Sequence, residues 1–243
     1  MKRRLDELLV SRGLAESRSV AQRLILEGNV RVKDCVAPKS GNQYDTEIEI
    51  EVIGVDRFVS RGGEKLEGAF GTFGLQVKGL SCLDVGASTG GFTDCLLQHG
   101  AERVISLDVG HSQFHPRLRN DPRITVIEKF NARNMTSADL PYVPDFAVCD
   151  VSFISLRLII PPMMAVLKPG GGMVTLIKPQ FEAGREQISK GGVVRDEAIR
   201  QQVVESIREF GVSIGLVWNG VSTSPITGPK GNVEFTAYWS KPV

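Results

Sequence analysis

Leu83-Asp84-Val85-Gly86-Ala87-Ser88-Thr89-Gly90-Gly91-Phe92 runs from an apolar segment through a glycine-rich turn into a second apolar segment. Glycines at a strand-to-helix turn let the backbone approach a ligand, and open α/β sheets bind ligands at the carboxyl ends of their strands. The glycine spacing is G-x-x-x-G-G, with an acid two residues before the first glycine. A pyrophosphate favours a helix N-terminus and close amides, without a carboxylate beside them. A sulfonium carrying an amino-acid ammonium suits Asp84 better, so the turn points to S-adenosyl-L-methionine ahead of a dinucleotide. The expected cofactor-binding residues are Asp84, Gly86, Ser88, Thr89, Gly90, Gly91 and Phe92. Asp108, ending the next strand in Ser106-Leu107-Asp108-Val109, is placed to accept both ribose hydroxyls. Asn131, after the third strand, is the candidate for the adenine edge.

Outward from this turn, strands and helices alternate. Strands are expected near 81–86, 103–109, 124–130, 145–151 and 171–178, with helices near 63–74, 90–99, 155–166 and 195–210. Two further strands, near 212–222 and 233–240, are joined by the turn-rich Ser224–Gly231 stretch. Alternation implies a mostly parallel sheet covered on both faces, with a last strand that enters by a hairpin and runs antiparallel. Before residue 56 the pattern differs. Leu5, Leu8 and Leu9 have helical spacing with Gly13 as a stop, and Ser17 reads as the N-cap of a helix ended by Gly28. Val30–Lys33 and Glu47–Val52 alternate as half-buried strands do. The expected organisation is a small α+β domain at 1–55, a linker at 56–61 and an α/β domain at 62–243.

Four residues far apart in the chain fall at the strand and helix ends that face the turn: Lys65, Asp150, Lys178 and Glu234. A lysine terminating an apolar strand is costly unless it is paired or functional. Two lysines and two acids in one cleft neutralise each other, and such a set can activate a hydroxyl. A ribose 2′-hydroxyl is a poor nucleophile that needs a proton acceptor as it attacks a methyl group. Lys178 is the candidate acceptor, Asp150 and Lys65 position it, Glu234 holds the network, and Asp150 also borders the cofactor.

The order Lys65/Asp150/Lys178/Glu234, the Asp84–Phe92 turn and Lys178-Pro179-Gln180-Phe181-Glu182 resemble FtsJ-type RNA 2′-O-methyltransferases. With Ser60-Arg61-Gly62-Gly63-Glu64-Lys65-Leu66 and the N-terminal module, the chain is similar to the TlyA/hemolysin A family from about Arg4 to Trp239. That resemblance implies a Rossmann-like class I methyltransferase fold and 2′-O-methylation of ribosomal RNA, typically at cytidine, as free RNA or in ribosomal subunits. It also implies the tetrad as catalytic and Asp84, Gly86, Gly90, Asp108 and Asn131 as cofactor contacts. Arg4-Leu5-Asp6, Ser17–Arg23 and Gly28–Val32 are similar to the S4-type RNA-binding domain. Arg4, Arg18, Gln22 and Arg23 are then expected to meet RNA phosphates, which fix register without reading sequence. Arg61, Arg185, Lys190 and Arg195 add further backbone contacts, and Phe153 is a candidate to stack a splayed base.

Composition bounds the alternatives. With 42% hydrophobic and 23% charged residues over 243 positions, the chain is ordinary globular material. The net charge of +1 hides an asymmetry: residues 1–39 carry nine Lys/Arg against five Asp/Glu, whereas 40–56 carry only acids. Cys35, Cys82, Cys95 and Cys149 show no zinc-ligand spacing, which fits a reducing cytoplasm and excludes a disulfide framework. No metal is expected, since His111 and His115 have no companion ligands nearby in sequence. A cytosine C5-methyltransferase would use Cys149 as nucleophile, yet strand alternation turns Cys149 and Asp150 to opposite faces. An amino-methyltransferase resembles D/N-P-P-Y/F where this chain has Asp150-Val151-Ser152-Phe153. A membrane-acting hemolysin lacks a spanning helix here, and a catalytically inactive RNA-binding or assembly factor would have no need of the tetrad.

Overall fold

The short apolar runs become seven strands of one sheet, β1 (Ser81–Val85), β2 (Arg103–Leu107), β3 (Ile124–Ile127), β4 (Phe146–Cys149), β5 (Gly172–Ile177), β6 (Val217–Thr223) and β7 (Phe235–Ser240). They lie in the order β6-β7-β5-β4-β1-β2-β3. Only β7 opposes its neighbours, pairing antiparallel with both β5 and β6, while β1, β2, β3, β4 and β5 pair in parallel. This computed structural model describes residues 2–15, 17–33, 35–37, 39–53 and 57–243. The sheet belongs to the larger of two compact units, Phe58–Val243; the other is Met1–Arg57.

Helices α1 (Gly62–Phe73), α2 (Gly91–Gln98), α3 (Pro116–Arg119), α4 (Ile160–Val166), α5 (Pro179–Glu182) and α6 (Glu197–Ser213) complete the unit. Period-two alternation sorts the strand side chains between two cores. Val148 and Val174 pack with Leu66, Phe70 and Leu96 of α1 and α2. Ala147, Cys149, Met173 and Ile177 pack on the other face with Met163, Val204 and Ile207 of α4 and α6. The chain leaves β1 toward β2 and later returns to β4 on its other side, which opens a crevice at the carboxyl ends of β1 and β4. The expected sheet, with its one antiparallel strand at the chain's end, is the observed one.

The strands expected near 103–109 and 124–130 end early, at Leu107 and Ile127, and two other elements of this unit differ more. The strand read near 212–222 starts at Val217, because α6 keeps Val203, Val204, Ile207 and Gly211 on the sheet and runs on to Ser213. It stops where Gly215 takes φ 97° and Leu216 N–H donates to Gly211 O. The helix read near 155–166 is split into a 3₁₀ turn, Leu156–Leu158, and α4, whose first turn holds Pro161 and Pro162. Prolines are tolerated there because the first N–H groups of a helix have no intrahelical acceptor.

In the smaller unit, helices Leu5–Ser11 and Arg18–Leu26 pack Leu5, Leu9, Ala21, Leu24 and Ile25 onto Val30 and Val32. Ser17 caps the second helix, its Oγ accepting from Val20 N–H at 3.3 Å. Gly13 and Gly28 end the two helices with φ of 70° and 77°. Strand Ile50–Val52 is shorter than the expected 47–52 run and pairs with Val30–Val32, which also pairs with Cys35–Val36. Lys2–Arg4 pairs with Gln43–Asp45. Of the expected linker at 56–61, residue 56 lies outside the described residues, and Phe58 is buried beside α1.

Trp239 of β7 is fully buried, donates to Thr175 Oγ1 at 3.0 Å and meets Trp218 edge-on. Helix α6 reaches this ring because residue 211 is glycine; an added Cβ there would stand 2.3 Å from it. Gly211→Ala is therefore expected to lower stability by about 1–3 kcal/mol through overpacking. Urea unfolding checks this, and an unchanged midpoint would show that the indole moves aside freely.

Candidate active site

Two adjoining cavities open at the carboxyl ends of β1 and β4, one of about 480 Å³ and one of about 310 Å³. Gly86, Ser88, Asp150 and Ser152 line both. The turn after β1 makes their common wall. Gly86 holds φ 83°, and an added Cβ would lie 2.7 Å from the Asp150 carbonyl, so only glycine lets the ends of β1 and β4 meet this closely. Asp150 N–H in turn donates to Val85 O at 3.0 Å.

Three of the four charged residues, Lys65, Asp150 and Lys178, line the smaller cavity, and Glu234 lies behind them, bonded to Lys65. Lys65, in the first turns of α1, places Nζ 2.7 Å from Glu234 Oε2 and 3.6 Å from Asp150 Oδ2. Lys178 places Nζ 2.6 Å from Asp150 Oδ1 and donates to Ser152 Oγ at 2.8 Å. Lys65, Lys178 and Glu234 are buried and Asp150 nearly so. Each position has a local cause. Pro179 opens α5 and cannot continue the strand ladder, so β5 ends at Ile177 and Lys178 turns into the crevice. Gly228 packs on Glu234, where a Cβ would come 2.1 Å from Oε1. Gly63 and Gly91 let the starts of α1 and α2 touch, since a Cβ on Gly91 would lie 2.9 Å from Gly63 N. Four residues named from sequence thus form one connected set, with two formal positive and two formal negative charges.

Sequence reasoning passed over two members of the same network. Gln180 is buried and donates from Nε2 to Glu234 Oε1 at 3.0 Å, and Ser152 receives the Lys178 bond. Both lie inside motifs already quoted; a polar residue between Pro179 and Phe181 was the available signal for the first.

The larger cavity is the nucleoside-sized one, within the range of small-molecule sites. Leu107, Phe130, Ala132 and Ile159 give it apolar surface, and Asp108 and Asn131 give it polar edges. Asp108 is fixed by backbone, accepting from Ser88 N–H at 2.8 Å and Gly110 N–H at 2.6 Å. Asn131 Oδ1 accepts from Arg133 N–H. Ser88, Thr89, Gly91 and Phe92 line one or the other cavity. Asp84 and Gly90 line neither. Gly90 is packed against Phe114 and Leu118. Asp84 lies buried beneath the turn, its Oδ2 accepting from Thr93 Oγ1 at 2.7 Å while Oδ1 has no hydrogen-bond partner among the described residues. Burial raises its pKa to about 7.

The expected RNA-binding residues fall into separate groups. In the smaller unit, Arg4, Arg18 and Gln22 all bond the buried carboxylate of Asp6, at distances from 2.8 to 3.3 Å. These donors, Arg4 foremost, hold the Asp6 carboxyl well below the usual carboxylate range. Arg23 stands apart, near Glu27. In the larger unit Arg61 lines the smaller cavity, while Arg185, Lys190 and Arg195 are exposed on the segment after β5. Cys149 is fully buried and its thiol is pushed far up by burial, which removes it as a nucleophile for base methylation. His111 and His115 are exposed, and His115 Nδ1 accepts from Arg117 N–H. Among the described residues, Glu67, Cys95 and His99 form the one group of three potential metal ligands; His99 bonds Glu67 and stacks on Phe70.

A sheet of this order, with an acid-edged nucleoside cavity beside a lysine–carboxylate set, defines an S-adenosylmethionine-dependent methyltransferase. The chain belongs to the FtsJ-like methyltransferase family, whose profile matches residues 58–241, and residues 3–32 match the S4 domain. It is 47% identical over 96% of its length to YqxC of Bacillus subtilis (strain 168), named as a candidate rRNA methyltransferase, of which the match covers 84%. It is 42% identical over 96% of its length to the 16S/23S rRNA (cytidine-2′-O)-methyltransferase TlyA of Mycobacterium tuberculosis, covering 87% of that protein. A solved structure from Streptococcus thermophilus, described as a candidate hemolysin, superposes with a TM-score of 0.76 at 43% identity, covering 99% of this chain and 89% of that one. Among the described residues no helix is long and apolar enough to cross a membrane.

The buried Asp84 carboxyl has a pH signature. Its folded pKa lies above its unfolded value, so between about pH 4 and pH 7 the native state binds more protons than the unfolded state. Its contribution to stability is therefore largest below that window and declines as pH rises through it. Asp84→Asn removes this titration. The Tm of the variant relative to the parent is expected to climb between about pH 4 and 7 and level off above; a difference independent of pH would contradict the raised value.

Proposed function

We propose that this methyltransferase acts on the ribose 2′-hydroxyl of a ribosomal RNA nucleotide, a cytidine as in the relative named for that reaction. The observation that carries the reading is the convergence of Lys65, Asp150, Lys178 and Glu234 into one connected set beside the smaller cavity, with Asp150 on the wall that cavity shares with the larger one. Such a set suits a hydroxyl, which must give up a proton, better than a base nitrogen with a lone pair of its own. It also supports an enzyme over an inactive RNA-binding factor.

S-adenosylmethionine supplies an electrophilic methyl group when bound. Asp108 and Asn131 are proposed to hold its nucleoside, with Gly86 and Ser88 giving close backbone approach; acid edges and an apolar middle fit a cationic nucleoside. Lys178, as the neutral amine after its ammonium proton is released to solvent, is proposed to meet the attacking oxygen and take its proton. Asp150 and Ser152 fix where the Lys178 amine points, Lys65 balances Asp150, and Glu234 with Gln180 holds Lys65. Asp84 acts from below, as the support of the turn through Thr93. Alignment of oxygen and methyl by the walls contributes alongside proton removal.

Arg4, Arg18 and Gln22 around Asp6, with Arg23, are proposed to contact RNA phosphates in the smaller unit, and Arg61, Arg185, Lys190 and Arg195 in the larger. A ribosomal subunit is the proposed physiological substrate, which goes with a cytoplasmic location. Phe153 is 90% exposed, holds φ 63° and lies 5.0 Å from the Phe181 ring, three residues past Asp150. An exposed aromatic held in an unfavourable backbone conformation beside the acid suits stacking on the target base.

Two measurements test this reading. Lys178→Ala and Lys178→Arg are both expected to lower the methylation rate by about 10²–10⁴-fold, with unchanged affinity for S-adenosylmethionine. Arginine keeps the charge but does not take up a proton, so an active arginine variant would exclude Lys178 as the proton acceptor. Phe153→Ala is expected to cost about 1–3 kcal/mol in kcat/KM for RNA, and Phe153→Tyr to restore most of it. Equal loss in both would exclude stacking.

A further inference from the structure

The segment after β5 and the turn before β7 are far apart in sequence, yet one side chain joins them. Asn232 is buried and directs all its side-chain bonds at backbone. Its Oδ1 accepts from Val194 N–H at 3.2 Å, and its Nδ2 donates to Gly192 O at 2.9 Å and Pro229 O at 3.1 Å. Beside it, Lys230 Nζ donates to Gly191 O at 2.9 Å. Each partner segment is a closed turn. Ser189 N–H donates to Val193 O and Gly192 N–H to Ser189 O, with Gly191 and Gly192 at φ 103° and 82°. On the other side Gly228 N–H donates to Asn232 O at 2.8 Å.

What the clasp holds in place matters for the site. Ile226, Thr227, Gly228 and Pro229 line the smaller cavity. Gly228 packs directly on Glu234, whose carboxylate carries Lys65. The partner segment bears exposed Lys190 and Arg195. None of these residues lines the nucleoside-sized cavity.

We propose that Asn232 is a positioning residue: it locks the 226–229 wall of the methyl-acceptor cavity to the 189–194 turn, and so sets the Glu234–Lys65 half of the tetrad. A buried amide with one acceptor and two donor bonds has a single arrangement that satisfies it, so the two turns adopt one relative register. RNA phosphates held by Lys190 or Arg195 would press on the same turn, linking acceptor binding to the shape of the wall. This last link rests on the RNA-methyltransfer reading; the clasp itself does not.

The test compares Asn232→Ala and Gly192→Ala with the parent chain. The second variant leaves Asn232 intact and disturbs the clasp from the opposite side, because its added Cβ meets no atom within 4 Å and the strain comes only from the positive φ. Amide hydrogen exchange is expected to speed up in both variants at 189–194 and 226–232, with α2 and β1 unchanged. S-adenosylmethionine affinity is expected to stay the same, while kcat/KM for the RNA acceptor falls by about tenfold or more, as for a lost positioning contact. Unchanged exchange, or a joint loss of cofactor affinity, acceptor turnover and Tm, would overturn the proposal, the latter by showing a merely structural role. Kinetics are scored as variant over parent on whichever acceptor the parent methylates. A parent that methylates a base would therefore overturn the ribose reading and still decide the clasp, as exchange does without turnover.

Discussion

The contact between Lys65 Nζ and Glu234 Oε2, 2.7 Å long, ties the start of α1 to the residue before β7 across 169 positions of chain. Burying an isolated ammonium or carboxylate costs several kcal/mol, and a close partner offsets that cost only when geometry and further hydrogen bonds are good. Here the offsets are continuous. Lys65 also faces Asp150, Asp150 faces Lys178, Lys178 bonds Ser152, and Gln180 supports Glu234. Removing Asp150 would leave Lys178, and removing Lys65 would leave Glu234, as a buried charge without its ionic partner. The carboxyl ends of β4 and β5, the start of β7 and the first turns of α1 are held in one place by this requirement.

That constraint accounts for the glycines around the site. Gly86 admits the Asp150 carbonyl, Gly228 admits the Glu234 carboxylate, and Gly63 and Gly91 bring α1 onto α2 so that Lys65 reaches the crevice. In the proposed reaction the same geometry keeps the proton-accepting group and its counter-charges out of bulk water. Electrostatic interactions are stronger there than in solvent, and little has to reorganise as the proton moves. The nucleoside-sized cavity meets this set at Gly86, Ser88, Asp150 and Ser152, so donor and acceptor would face each other across Asp150.

Much of this was legible in the sequence because it rests on short-range signals. The strand–turn–helix reading at Asp84–Phe92, the lysine stopped by Pro179 and the alternation along β4 and β5 are local patterns with local causes. What was not legible depends on packing. Asp84 was read as facing the cofactor, yet it lies beneath the turn and bonds Thr93, because the side chain at that register points into the layer under α2. Helix α6 outran its expected end because Gly211 lets it close on Trp239, a partner in the last strand of the sheet. The two-residue strand Cys35–Val36 and the three-residue strands Lys2–Arg4 and Gln43–Asp45 are too short to show alternation. Asn232 falls between the Ser224–Gly231 stretch and the last strand, and its bonds to Gly192 and Val194 reach about forty residues back.

The most direct measurement on the central claim is the atom that receives the methyl group. Ribosomal RNA lacking the modification would be incubated with isotopically labelled S-adenosylmethionine and the protein, then digested to nucleosides and resolved by mass spectrometry. A lysine–carboxylate set built to accept a hydroxyl proton requires the label on ribose oxygen, in 2′-O-methylcytidine. Label on a base, from an enzyme that binds S-adenosylmethionine normally, would contradict it.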